Sequence, residues 1–280
     1  MTRIFSIPAL RALRAAIIVG LLLCGAPVAH GASKYIDEPD PLATRRVAVY
    51  LASEDCPGAV KALTEDLKQR HRNVLLLAGT MYETGLCVKE NWEKAASFYQ
   101  LADAAGHRAA IHRLAAGYAV AGRENALALW WAAHRPKALP KECIPEANPE
   151  TEGAAFDAAL ERMPEALYAQ CIYMVGVYSA ITAETEFPAE ALRHAVFGNV
   201  AMDFNPSLGE IVFTQEAAEK GLHPGVYDGR QTQLDDKRKI ANSLLTYMRE
   251  TGRRTLARYQ KPEAISPTIR IKQLFSFGFK

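Results

Sequence analysis

The feature that most constrains the fold is a pair of short amphipathic helices predicted between Asn73 and His107. Small and apolar residues recur at helical spacing on the first helix, at Leu75, Ala78, Gly79 and Tyr82. A second stripe follows a turn, at Ala95, Phe98, Tyr99 and Ala102. Glycine inside the first stripe favours close approach of a neighbouring helix. Because both stripes consist of packing residues, the stretch predicts a scaffold rather than an active site.

A second copy of this helix pair is predicted from Ala109 to His134. Its two stripes are Leu114, Ala115 and Tyr118, followed by Ala126, Leu129, Trp130 and Ala133. Tyr118 stands 36 residues after Tyr82, whereas Ala126 stands 31 residues after Ala95, so the second turn is shorter. A recurring helix pair of this length is typical of a stacked array, in which no single pair buries its own apolar face.

The first copy resembles the SEL-one-like repeat family, which is related to the tetratricopeptide repeats. The residues that carry the resemblance are Gly79, Tyr82, Gly85, Val88, Asn91 in place of Asp, Lys94, Ala95, Phe98 and Tyr99. The second copy matches the family pattern less well. The resemblance implies an all-α helical-repeat domain, which we place at residues 45–184. An ordinary antiparallel helical hairpin is the alternative interpretation.

Residues 1–31 have the pattern of a secretory signal peptide. Arg3, Arg11 and Arg14 precede an apolar run from Ala15 to Ala26, and a small-x-small site predicts cleavage before Ala32. The run is shorter than the roughly 20 residues that span a bilayer. An uncleaved anchor remains an alternative, and Leu23 before Cys24 disfavours lipidation. We therefore expect a periplasmic protein with no integral membrane span in its mature chain.

The four cysteines of the mature chain predict two disulfides. Cys56 precedes a helix that Pro57 opens, and Cys87 follows the helix from Asn73 to Thr84. Two antiparallel helices of similar length return these thiols to the same end of a hairpin, which predicts a Cys56–Cys87 bond. Cys143–Cys171 follows by elimination. Four free buried thiols remain an alternative, whereas a metal site is disfavoured because no ligand spacing accompanies them.

The hydrophobic period changes after Glu186. Val200, Met202 and Phe204 alternate with polar residues, which predicts a half-buried strand, and a turn leads to a second strand at residues 210–214. A basic amphipathic helix is predicted at residues 235–250, with Ile240, Leu244, Leu245 and Met248 as its apolar side. A third strand at residues 268–279 places Ile269, Ile271, Phe275, Phe277 and Phe279 on one side, with an irregularity near Gln273 and Leu274. The chain as a whole is therefore α+β.

This C-terminal part resembles the C-terminal domain of the TonB family. The matching residues are Phe187, Pro188, Ala191, Gly198, Val200, Phe204, Gly209, Ile211, Pro262 and the strand from Thr268. The resemblance implies a small α+β domain at residues 186–280 that offers a sheet edge to an extended peptide. The transmembrane anchor and Pro-rich spacer of the energy transducers have no counterpart here, so the resemblance implies the binding mode alone.

Residues 230–280 carry twelve Lys and Arg residues against four Asp and Glu residues. We interpret this charge as a solvated helix face together with an edge strand whose Lys and Arg side chains oppose pairing with other chains. Attachment of this part to an anionic envelope surface is the alternative interpretation. Nucleic acid is disfavoured as a partner because an exported protein rarely meets it.

The known catalytic motifs are missing from the sequence. There is no GxSxG, no HExxH and no Gly-rich loop after a strand, so we expect no catalytic residue, metal or cofactor. The expected function is that of a non-enzymatic adaptor that binds proteins in the Gram-negative cell envelope. Its candidate binding residues are Phe187, Pro188, Ala191, Ile269, Ile271, Trp130 and Trp131. A cell-envelope hydrolase, or a protein that binds peptidoglycan or β-lactams, is the alternative.

Overall fold

The computed structural model describes residues 41–134, 138–186, 188, 191, 196–215 and 242–277. The predicted signal peptide lies outside these residues. Within them the chain forms nine α-helices and one three-stranded antiparallel sheet, so the predicted α+β class is confirmed. The helices are α1 Pro41–Ala52, α2 Cys56–Asp66, α3 Arg72–Thr84, α4 Trp92–Ala104, α5 Arg108–Tyr118, α6 Asn125–Ala133, α7 Gly153–Glu161, α8 Glu165–Glu184 and α9 Ser243–Arg258. The strands are β1 Gly198–Asn205, β2 Glu210–Gln215 and β3 Ile271–Phe277.

Side-chain caps fix where the helices of the predicted pairs begin. Asn91 Oδ1 accepts a hydrogen bond from Lys94 N at 2.8 Å, which is the predicted cap of α4. His71 Nδ1 accepts from Asn73 N, and His107 Nδ1 accepts from Ala109 N, each at 3.3 Å. The two histidines cap α3 and α5, the first helices of the two pairs.

Glycines allow aromatic rings to lie against the helix backbone. A Cβ atom on Gly79 would lie 2.4 Å from a ring carbon of Tyr99 on α4, so the predicted close approach at this position is confirmed. Gly117 on α5 is covered in the same way by Trp92. Each contact is too short to admit even an alanine without movement of the ring.

The buried face of α6 differs from the predicted stripe. The structure buries Ala128, Leu129 and Ala132, whereas Ala126, Trp130 and Ala133 are only partly buried. Helix α6 packs against α5 and α8 rather than repeating the environment of α4. The position of α8, which belongs to neither helix pair, therefore decides which side of α6 is buried.

Helix α8 is the centre of the fold. By length and composition it is the one described helix that could cross a membrane, but most of its apolar stretch is buried by other parts of the protein. Helices α5, α6 and α9 pack on it. Met174 and Ile181 of α8 share a main core with Phe204 of β1 and Met248 of α9. The described residues belong to one compact unit, and the predicted division at 45–184 and 186–280 stays a prediction.

The sheet has the order β2-β1-β3, with β1 in the middle. Val200, Met202 and Phe204 face the main core, as predicted. The predicted irregularity at Gln273 and Leu274 is wrong, because β1 and β3 pair without interruption from Gly198↔Phe277 to Phe204↔Ile271. Gln273 takes an inward position, and the Tyr178 hydroxyl donates to its Oε1 at 3.3 Å. The hydrogen bond from Tyr178 thus satisfies Gln273 on the inner face of the sheet, and β3 continues through this position without a bulge.

Helix α9 extends beyond its predicted end at Glu250 and reaches Arg258. Leu244 and Met248 are buried as predicted, while the predicted start of the helix and Ile240 lie outside the described residues. Gly252 does not end the helix because the Phe213 ring of β2 occupies the space beside it, 2.7 Å from where a Cβ atom would be. The glycine is therefore a packing position.

Both predicted disulfides are present. Cys56–Cys87 joins the start of α2 to the loop after α3, with 4.9 Å between Cα atoms. Cys143–Cys171 joins the segment after α6 to α8, with 5.2 Å between Cα atoms. Two disulfides in one chain are typical of a protein that folds in an oxidising environment.

Candidate functional site

One face of the sheet packs on the main core, and the other face is exposed. The exposed face, called here the outer sheet face, consists of Ala201, Asp203, Val212, Thr214, Lys272 and Leu274. Its large apolar side chains are Val212, which is 54% exposed, and Leu274, which is 50% exposed. Apolar exposure of this extent on a regular sheet marks a surface that another molecule can cover.

A shallow depression of about 510 Å³ lies on the outer sheet face. The register places Ala201 between Thr214 and Leu274, so a small side chain stands between two larger ones. The depression is lined by the six residues of the outer sheet face together with Met202 and Gln273. It is a surface groove across the strands.

The side of the outer sheet face that belongs to β3 is basic. Arg270 Nη1 lies 3.2 Å from Asp203 Oδ1, and Lys272 Nζ lies 3.9 Å from Asp203 Oδ2. Two cations therefore share one carboxylate, and Lys272 is 75% exposed at its side chain. Ala201 and Asp203 of β1 lie in the middle of the groove, and Lys272 of β3 together with Arg270, just before β3, gives its margin a positive charge.

Both outer strands offer a backbone edge. Within the described residues β2 and β3 each pair with β1 alone. An unpaired edge presents a row of backbone N–H and C=O groups to an incoming strand. Lysine and proline on an edge strand oppose pairing with another strand. The seven residues of β3 contain one lysine and no proline, so little on that edge opposes an added strand.

The predicted binding residues of the C-terminal part are mostly core residues. Ala191 and Ile271 are fully buried, and Ile269 is a partly buried neighbour of the main core. Pro188 is partly buried, and Phe187 lies outside the described residues. At Ile271 it is the strand backbone rather than the side chain that lies at the sheet edge.

The two predicted tryptophans lie in the helical part. Their rings meet edge to face with 4.6 Å between centroids, and both contact the His134 ring. Trp130 Nε1 donates to the carbonyl oxygen of Pro149 at 3.3 Å, and Trp131 packs against the main core. Neither ring lines the depression on the sheet, so the structure does not bring the tryptophans and the sheet residues into that one pocket.

A group of charges around the buried Glu83, called here the ion cluster, holds the C-terminal elements on the helical part. It consists of Glu83 on α3, Arg113 on α5, Glu184 on α8 and Arg258 on α9. Arg258 donates to Glu83 and lies 3.3 Å from Glu184. Arg113 lies 3.8 Å from each of the two carboxylates. The Glu83 side chain is only 4% exposed, and Tyr99 Oη donates to it at 2.6 Å.

The electrostatics of the ion cluster favour a fixed ion pair over acid–base chemistry. Burial by itself raises the pKa of Glu83, but Arg258, Arg113 and the Tyr99 hydroxyl outweigh it and lower that pKa below 4.5. Burial and the nearby Glu83 charge raise the pKa of Tyr99 above its ordinary value. Glu83 is thus a charged acceptor and Tyr99 a neutral donor, and neither is poised to exchange a proton near neutral pH.

Two tyrosines complete the attachment of α9. Tyr247 Oη donates to the Glu184 carbonyl oxygen at 2.6 Å and accepts from Glu186 N at 3.0 Å, which satisfies the end of α8. Tyr259 Oη donates to the Ala116 carbonyl oxygen at 2.9 Å, and its ring covers Gly176. Helix α9, on which β2 rests, is therefore positioned from both ends.

The residues of the ion cluster are not among those that the sequence patterns predicted as functional. One signal was present, because Glu83 follows Leu75 and Gly79 at intervals of four and so continues their apolar stripe. The described residues contain no group of three or more His, Cys, Asp or Glu side chains placed to hold a metal ion.

Comparison of the chain with models of protein families, with curated proteins and with solved structures found no match. The resemblances to SEL-one-like repeats and to the TonB C-terminal domain therefore rest on the residues quoted above.

Proposed function

We propose that this protein is an exported, periplasmic adaptor without enzymatic activity. In this proposal it binds an extended segment of a partner protein in the cell envelope. The helical part, regarded as a SEL-like repeat array, is the scaffold, and the TonB-like C-terminal part is the binding module. The observation that carries the proposal is the edge of β3, which pairs with β1 alone in the described part of the chain, beside the exposed Leu274.

The binding mode we propose is addition of a strand to the sheet. Backbone groups at the β3 edge supply hydrogen bonds that do not depend on the partner's sequence, and alternate side chains of the added strand supply specificity. Alternate residues of an added strand lie on the side of the outer sheet face, where Leu274 offers apolar contact. Arg270 and Lys272 along the same strand favour a segment that carries acidic residues.

Two observations support the exported setting. The N-terminal sequence has the signal-peptide pattern, and the chain contains two disulfides. The ion cluster supports the scaffold role, because it fixes α9, and with it β2, on helices that come much earlier in the chain.

The test is site-specific photocrosslinking in intact cell envelopes. A photoreactive amino acid is placed at Leu274, and in a second protein at Leu101 on α4, which is 46% exposed and far from the sheet in sequence. We expect a discrete protein adduct at position 274 only. The purified partner should then slow amide exchange along β3, and Leu274→Lys should weaken its binding while Leu101→Lys does not.

Two outcomes contradict the proposal. Adducts of equal yield at both positions would show that the β3 edge is not the binding site. Turnover of a cell-wall substrate by the purified chain would show that the protein is a hydrolase rather than an adaptor.

A further inference from the structure

The two disulfides differ in solvent access. Cys143 and Cys171 are both fully buried in the main core. Cys56 and Cys87 are each partly exposed, at the start of α2 and in the loop after α3. Thiol–disulfide exchange requires an attacking thiolate to reach a sulfur atom, so access decides which bond reacts first.

The exposed bond holds a part of the fold that has its own small core. Helices α1 and α2 form a hairpin, and its charged side chains pair internally, since Arg46 contacts Glu65 at 2.9 Å and Asp66 at 2.6 Å. The hairpin packs on α3 through an apolar group that is separate from the main core. This N-terminal cluster consists of Val47, Ala59, Ala62, Leu63, Val74, Ala78 and Met81.

Backbone strain is concentrated at the joints of this hairpin. In the described part of the chain three residues other than glycine have positive φ angles: Glu54 at 57°, Arg70 at 51° and Cys87 at 60°. Glu54 lies between α1 and α2, Arg70 lies between α2 and α3, and Cys87 carries the disulfide. Left-handed backbone is unfavourable for such residues and persists only where the surroundings enforce it.

We propose that Cys56–Cys87 is a thiol–disulfide exchange site for a dithiol, and that its reduction releases the α1–α2 hairpin from α3. A thiolate of the dithiol attacks one sulfur, forms a mixed disulfide and expels the other cysteine as a thiolate. The second thiol of the reagent, as its thiolate, then displaces the first cysteine. Two electrons pass to the protein, which gains two thiols, and the dithiol becomes a disulfide.

The consequence of reduction is an exposed helix-packing face. Once the Cys56–Cys87 bond is open, Cys87 can leave its left-handed conformation, and the covalent link between the hairpin and the loop after α3 is lost. Release of the hairpin exposes Val74, Ala78 and Met81 on α3, which are buried in the oxidised protein. The main core and the Cys143–Cys171 bond stay intact.

The test uses the full oxidised chain and dithiothreitol as the dithiol. Samples taken during native-state reduction are alkylated, and peptide mapping follows each bond separately. We expect Cys56–Cys87 to be reduced at least about tenfold faster than Cys143–Cys171. Amide exchange after reduction should rise in α1, α2 and the adjoining face of α3, with little change in α5 and α8.

The Cys56→Ser/Cys87→Ser variant provides a second measurement, since it should show the raised exchange of α1 and α2 without any dithiol. Equal reduction rates for the two bonds would overturn the proposed exchange site. Unchanged amide exchange of α1 and α2 after reduction of Cys56–Cys87 would overturn the proposed release. Peptide mapping on the unmodified chain tests the proposed exchange site even if the variant folds poorly.

Discussion

Arg258, the last residue of α9, donates a hydrogen bond to Glu83 of α3 across a sequence separation of 175 residues. The contact joins the C-terminal helix to the first of the two predicted helix pairs. Glu83 is nearly inaccessible to solvent and Arg258 is partly exposed, so the ion pair is partly buried, and Arg113 and Glu184 are its two further members. It makes the orientation of the sheet depend on the helical part.

Glu83→Gln should lower the free energy of unfolding by about 1 to 3 kcal/mol, because it removes the buried counter-charge of Arg258 and Arg113, which keep Glu184 as a partner. Urea denaturation measures this loss. Glu250→Gln is the matched control, since Glu250 pairs with Arg253 on the exposed side of α9 and should matter little. A double-mutant cycle with Arg258→Met should show strong coupling. Additive effects would mean that the two side chains do not interact in solution.

Stability should fall as the pH drops below 4.5. The pKa of Glu83 is lower in the folded protein than its ordinary value of 4.5, so the unfolded chain binds the proton more readily. The stabilisation is complete above pH 4.5 and is lost as the pH falls through the lower folded value. Urea denaturation from pH 7 to pH 3 should give a shallower acid limb for Glu83→Gln than for the unmodified chain. Identical acid limbs would show that Glu83 does not contribute.

Phe204→Ala should destabilise the helical part as well as the sheet. Phe204 is fully buried in the main core and its ring lies 5.8 Å from that of Tyr173 on α8, so truncation should cost about 3 to 5 kcal/mol. The three tryptophans of the chain all lie between residues 92 and 131, and their fluorescence reports on the helical part alone.

A shift of the tryptophan transition in Phe204→Ala would show that helices and sheet unfold together. Leu208→Ala, in the exposed β1–β2 turn, is the control and should leave the transition in place. If Phe204→Ala leaves the transition monitored by tryptophan fluorescence unchanged, the helical part and the sheet unfold as two independent domains.

Gly176→Ala should cost about 1 to 3 kcal/mol, because the new Cβ atom would lie 2.6 Å from the Tyr259 ring and 3.1 Å from Ala119 Cβ. Thermal denaturation measures the loss. The cost should be smaller in a Tyr259→Leu background, where the ring is absent. An equal cost in both backgrounds would assign the effect to the contact with Ala119 rather than to the ring.

Joint replacement of Cys143 and Cys171 by alanine should lower the free energy of unfolding by about 3 to 4 kcal/mol, because the bond closes a loop of 28 residues. Urea denaturation under oxidising conditions measures the loss. A replacement without effect would show that this bond adds nothing to a core that is already well packed.

Much of the helical part could be predicted from local patterns. The apolar stripes from Leu75 and from Ala95 fix two helices, the Asn91 cap fixes where the second begins, and the short turn brings Cys56 and Cys87 together. In β1, alternation of Val200, Met202 and Phe204 fixes the buried face. These features succeed because each depends on the 3.6-residue or two-residue period of one segment.

The candidate site could be predicted only in part. The sequence placed Ile271 on the third strand and offered its side chain for binding, whereas the structure buries that side chain and exposes Lys272 and Leu274. A one-residue change of register exchanges the two faces of a strand. The apolar residues that alternate with Ile271 on β3, Phe275 and Phe277, also belong to the main core, so the side chains between them are the ones left exposed.

By itself, the amino-acid sequence determined the type of most main elements and the pairing of the cysteines, because these depend on nearby residues. The tertiary structure alone decided the ion cluster, the buried face of α6 and the inward place of Gln273. Each of these depends on contacts between residues far apart in the sequence. The spacing of residues within one helix or strand does not indicate which charged side chains meet across the fold.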